Sequence, residues 1–64
     1  GQSFTPELIR LLKQAGCAFV RHGRGDHDIW HSPRSATTFP VDHKILSRHT
    51  ANGVLKQAGL PKQF

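Results

Sequence analysis

Sixty-four residues, with nine Lys and Arg against four Asp and Glu and a formal charge of +5, describe one small basic domain. A chain this short buries only about 60% of the surface it exposes when unfolded. That excludes a large internal cavity and favours a shallow surface site suited to a polymeric substrate. The charge favours an anionic partner, whether nucleic acid, acidic protein or membrane surface, with solubility alone as the plainer alternative, and no run of about 18 apolar residues is present to span a bilayer.

The first element is a helix. Thr5 can cap it, Pro6 suits its first position, and Glu7 favours the positive end of the dipole. Leu8, Ile9, Leu11, Leu12 and Ala15 then form an apolar stripe at helical spacing, and Gly16 ends it. Cys17 is the only cysteine, which excludes an intramolecular disulfide and a cysteine-based zinc site. A lone thiol fits a reducing compartment. With no signal-peptide pattern, a cytoplasmic location is expected.

Cys17 to His22 and His27 to His31 read as two strands joined through Gly23-Arg24-Gly25-Asp26. With Arg24 and Gly25 at the centre of the turn, His22 would lie opposite His27, and Arg21 opposite Asp28. Val20 would then face Ile29, and Phe19 would face Trp30. Opposite charges and aromatic rings pair well across strands. The aromatic pair is expected beneath the helices, with His22 and His27 on the open face and Val20 and Ile29 partly exposed.

Ser32 to Ala36 reads as a turn, and Thr37 to Phe39 as a short third strand stopped by Pro40. Val41 to Leu46 is a connection. Ser47 caps a last helix through about Ala58, with Ala51, Val54, Leu55 and Ala58 as its apolar positions and Gly59 past its end. Residues 1–64 form a single domain, with loose ends expected at 1–4 and 61–64. The order is α-β-β-β-α, an α+β domain with a three-stranded antiparallel sheet and both helices on one face.

Histidine titrates near neutrality, so His27, beside Arg24 at a glycine-rich turn, is the first candidate for chemistry. RNA can be cleaved without metal when a base takes the 2′-hydroxyl proton or an acid protonates the leaving oxygen. From spacing alone, a solvated turn histidine is the commoner case. Asp26 and Asp28 point one way from the strand, and His27 and His31 the other. Positions four apart in a strand are separated by roughly 13 Å, and no His-x-His or Cys pair gathers ligands. No metal and no cofactor are therefore expected. There is no Gly-x-Ser-x-Gly elbow, and Gly23-Arg24-Gly25 opens no phosphate-binding helix. Arg24, Arg34, Lys44 and Arg48 read as phosphate contacts for RNA, and Trp30 as core.

The chain resembles the HicA toxins of bacterial type II toxin–antitoxin systems, from about Glu7 to Leu60. Leu8 to Gly16 looks like the family's opening helix and its glycine stop. Gly25-Asp26-His27 stands where the family has Gly-Ser-His. Phe39-Pro40 followed by His43 resembles its Val-Pro…His stretch, and Val54 to Leu60 resembles its closing helix. The resemblance implies a double-stranded-RNA-binding-domain-like fold. It also implies an mRNA-cleaving endoribonuclease neutralised by a HicB-type antitoxin, with His27 as the catalytic histidine. Asp26 departs from the usual serine. A carboxylate there would repel the scissile phosphate, yet could orient or tune His27, so Asp26 and His22 are auxiliary candidates. The competing class is a non-catalytic RNA-binding module of the same fold, separable by an RNA cleavage assay on His27→Ala.

Overall fold

The computed structural model describes residues 3–64. Its elements run α1 (Thr5–Gln14), β1 (Ala18–His22), β2 (His27–Ser32), β3 (Thr37–Asp42) and α2 (Arg48–Gln57). The strands form one antiparallel sheet in the order β1-β2-β3, so β2 is central and the other two are edges. Among the described residues no helix is long and apolar enough to cross a membrane.

The stripe of α1 buries Leu8 and Leu12 completely, with Ile9, Leu11 and Ala15 packed at the margin. Its start differs from the expected cap. Phe4 holds the N-cap position and no side chain caps the helix. Thr5 Oγ1 instead donates to the Asp42 carbonyl at 3.3 Å and accepts from the Ile45 N–H at 2.9 Å. Thr5 thus ties the start of α1 to the chain leaving β3.

Both helices end on the same five residues, Leu12-Lys13-Gln14-Ala15-Gly16 and Leu55-Lys56-Gln57-Ala58-Gly59. In each, the glycine takes a positive φ, +87° at Gly16 and +77° at Gly59. Cys17 N–H bonds to the Leu12 carbonyl and Gly16 N–H to that of Lys13. In α2, Leu60 N–H bonds to Leu55 and Gly59 N–H to Lys56. This is the Schellman closure, which satisfies carbonyls the helix itself leaves open. The start of α2 follows the sequence too, since Ser47 Oγ accepts from the N–H groups of His49 and Thr50.

Trp30 pairs with Phe39 and Asp28 with Val41. Alternation places Trp30, Phe39 and Val41 on one face, and all three are buried with Leu8, Leu12, Ala51, Val54 and Leu55. One core thus joins that face to both helices. Pro40 does not stop β3 but sits within it, opposite Ile29. An edge strand accommodates a proline because an outward nitrogen has no ladder bond to lose. Phe19 faces Trp30 as expected, yet remains about half exposed. β1 is the edge far from α2, and all five of its residues are exposed.

The hairpin register departs from the expected one. Phe19 pairs with Trp30, but Arg21 pairs with Ile29 and His22 with Asp28, with an irregularity between Phe19 and Arg21. Val20 is the extra residue of a β-bulge. The turn explains it. Gly23 N–H bonds to the His27 carbonyl at 2.8 Å, and His27 N–H to the Arg24 carbonyl at 3.3 Å. The connection therefore holds three residues, Arg24-Gly25-Asp26, with Gly25 at φ +60°. A loop one residue longer shifts the pairing by one, and the bulge restores it before the aromatic pair. His22 consequently faces Asp28, not His27.

The ends expected to be loose carry contacts where they are described. Phe4 N–H bonds to the Ile45 carbonyl at 2.7 Å. Asn52 accepts from the N–H groups of Gln63 and Phe64 and donates to the Phe64 carbonyl. The Phe4 and Phe64 rings meet edge to face at 5.2 Å. Residues 1–2 lie outside the described part.

Candidate functional site

The hairpin turn, the start of β2, the end of β3 and the first turns of α2 meet at one end of the sheet. His27 opens β2 directly opposite Asp42, the last residue of β3. Its Nδ1 is paired with Asp42 Oδ1, and both side chains are close to half exposed. A carboxylate on Nδ1 fixes the ring and leaves Nε2 to exchange a proton with a substrate. The pair borders a depression of about 300 Å³ completed by Pro40, Ile45, Thr50 and Val54. Asp26, an auxiliary candidate, lies next to His27 on the turn. Its carbonyl accepts the His43 N–H at 2.8 Å, and the residue is exposed on the turn. The carboxylate that orients His27 is Asp42, fifteen residues downstream.

His22 belongs to a second group. Its Nδ1 donates to Asp28 Oδ1 at 2.7 Å, and His43 Nε2 donates to the same oxygen at 2.9 Å. These bonds, that from His43 first, lower the pKa of the Asp28 carboxyl. The bond to Asp28 raises that of His43, helped by the charges of Asp28, Asp26 and Asp42. Neighbours on a strand leave opposite faces, so Asp28 and His27 project to different sides. His22 therefore stands with Asp28 and His43, away from the side on which His27 projects. Neither Asp42 nor the trio was legible from local spacing. The partners come from three elements, and reading Pro40 as a stop hid the alternation that turns Val41 inward and Asp42 outward.

Of the four expected phosphate contacts, three lie at this end. Arg24 is on the hairpin turn, Lys44 follows His43 and Arg48 opens α2, all of them exposed. Arg34 is in the turn between β2 and β3, at the opposite end. A six-residue strand, roughly 17–20 Å, separates it from His27. There it lines a separate depression with Leu11, Leu60 and Pro61.

The description "HicA toxin of bacterial toxin-antitoxin" belongs to a family model that matches residues 5–60. The chain belongs to the HicA toxin family. Neither curated proteins nor solved structures gave a match. Membership makes this HicA chain the toxin of a toxin–antitoxin pair and implies a cognate antitoxin. The helix-strand-strand-strand-helix order is consistent with the double-stranded-RNA-binding-domain-like architecture expected of it.

Proposed function

We propose that this HicA chain is a metal-independent endoribonuclease that cleaves mRNA in the cytoplasm through His27. A HicB-type antitoxin would silence it by covering the basic face around that histidine. The observation that carries the reading is the His27–Asp42 pair. The pair is an oriented imidazole, half open to solvent, beside a surface depression, at the end of the sheet that also carries the exposed Arg24, Lys44 and Arg48.

In the reaction, His27 Nε2 takes the proton of a 2′-hydroxyl. The 2′ oxygen forms a bond to the adjacent phosphorus, and the bond from phosphorus to the 5′ oxygen breaks. The departing oxygen takes up a proton, giving a 5′-hydroxyl and a 2′,3′-cyclic phosphate. Arg24 and Lys44 hold the phosphate charge as it rearranges. Arg48 extends the phosphate track toward α2. Asp42 keeps the imidazole in place through the transfer. The shallow site accepts a single strand without enclosing it.

The test is cleavage of RNA in EDTA by wild type and His27→Ala, with product ends identified. Loss of a general acid–base group typically costs about 10²–10⁴-fold. A fall of that order, with unchanged fold and antitoxin binding, supports the assignment. Full cleavage by folded His27→Ala overturns it, as does activity lost in EDTA and restored by a divalent metal. RNA bound but left intact by the wild type would make the domain a binding module.

A further inference from the structure

The bulge at Val20 has a consequence beyond the hairpin. It sets His22 of β1 opposite Asp28 of β2. On the other side, the bond from His43 N–H to the Asp26 carbonyl continues the β2–β3 ladder one step past Asp42. That step turns His43 to the side of Val41, next to Asp28. Three neighbouring chain segments thus deliver one donor atom each to one spot. His22 Nδ1, Asp28 Oδ1 and His43 Nε2 all lie within 4.8 Å of one another. We propose that His22, Asp28 and His43 form a binding site for a divalent transition-metal ion of the zinc type.

The donor set selects the ion. Two imidazole nitrogens and one carboxylate oxygen suit zinc and its neighbours, whereas magnesium and calcium take oxygen ligands. The spacing is close to what such an ion needs. Tetrahedral bonds of about 2.0–2.1 Å hold donors about 3.4 Å apart. Here both imidazoles converge on a single carboxylate oxygen, at 2.7 and 2.9 Å. Replacing the two bridging protons with one cation opens those contacts by about half an ångström and draws the two imidazole nitrogens, which lie within 4.8 Å, toward the same separation of about 3.4 Å. The rings can make that adjustment, since the His22 side chain is 80% exposed and that of His43 50%. The anchor is firmer. Asp28 sits in the central strand with its side chain 23% exposed. Three protein ligands leave a coordination position toward solvent, open to water or to a ligand from a bound partner.

This site is separate from the proposed cleavage chemistry. Asp28 projects to the other side of β2 from His27, and no step of the reaction above passes through it. The two readings therefore fail independently.

Stripped protein is titrated with Zn²⁺ by calorimetry, and with Co²⁺ as a visible-absorption probe. The expected result is one ion per chain. Asp28→Asn, His22→Gln and His43→Gln should each weaken binding by at least about tenfold, the lower range even for groups one shell further out. His31→Ala and His49→Ala, which alter exposed histidines outside the trio, should bind as wild type does. On wild-type protein, nitrogen chemical shifts should move at Nδ1 of His22 and Nε2 of His43 when the ion is added. That measurement does not depend on any variant folding. Absence of saturable binding below millimolar metal overturns the proposal, as does binding that survives loss of all three ligands or follows His31 or His49. Binding retained in His27→Ala would show the two sites to be distinct.

Discussion

Ser32 is the only polar residue among the described ones that is fully buried, and replacing it with alanine removes the hydrogen bonds of one buried hydroxyl. Its Oγ donates to the Ala58 carbonyl at 2.6 Å and accepts from the N–H groups of Arg34 at 3.2 Å and Ser35 at 3.4 Å. It thereby fastens the end of β2 to the closing turn of α2. Alanine fills nearly the same space, so the cavity term is small. What remains is a buried carbonyl stripped of its donor, which costs about 1–3 kcal/mol. At roughly 0.05–0.15 kcal/mol per residue, a chain of this length holds only about 3–10 kcal/mol in total. A loss near 2 kcal/mol would lower Tm by about 8–16 °C, at about 4–8 °C per kcal/mol for a domain this small. Calorimetry and urea titration on Ser32→Ala measure it, with the urea slope unchanged if only stability has moved. Ser35→Ala is the comparison, because its hydroxyl bonds to Thr37 Oγ1 at an exposed position. A Tm drop under about 3 °C for Ser32→Ala, or one equal to that of Ser35→Ala, would refute the reasoning.

The separation of Arg34 from the other basic residues gives a second test. Replacing Arg24 and Lys44 with alanine should flatten the salt dependence of RNA binding by roughly 0.7 in log–log slope for each phosphate no longer neutralised, while Arg34→Ala leaves the slope alone; equal effects from both ends would relocate the RNA. Asp42→Asn should lower the single-turnover cleavage rate with little change in RNA affinity, since the ring loses its anionic partner but the basic residues remain. An unchanged rate would remove Asp42 from the role of orienting His27.

Local signals carried far in this chain. The stripe of α1, the Ser47 cap, the glycines past both helices and the four apolar positions of α2 are all written within a few residues of where they act. The location of the hairpin was equally plain, because glycines and alternating strands occur together there. Register was not. A two-residue and a three-residue turn share the same Gly23-Arg24-Gly25-Asp26 stretch, and the choice between them moves the pairs of Arg21 and His22 by one position before the bulge at Val20 restores the register. Pro40 misled for a similar reason. Its effect depends on whether the strand is central or at an edge, which is a property of the sheet. The candidate site suffered most, since each of its histidines finds its carboxylate on another strand. His27 stands out as a candidate from its turn, whereas Asp42 and the contacts of His43 need the β2–β3 pairing.

The distribution of acids bears on how a basic toxin can carry carboxylates where RNA is proposed to bind. Glu7 is bonded to Arg10 on α1, and the remaining acids are Asp26, Asp28 and Asp42. All three stand at the end of the sheet with His27. Bare carboxylates there would repel phosphate. Asp42 is engaged by His27, and Asp28 by both His22 and His43. The bond to Asp28 favours the imidazolium form of His43, so that carboxylate presents a cation toward its surroundings. Asp26 stays on the exposed turn, beside Arg24 in sequence. On the proposed reading the acids organise histidines in place of repelling substrate, while Arg24, Lys44 and Arg48 would supply the attraction. A metal ion held by the trio would serve the same end, offsetting the charge of Asp28 where two imidazoles now share it.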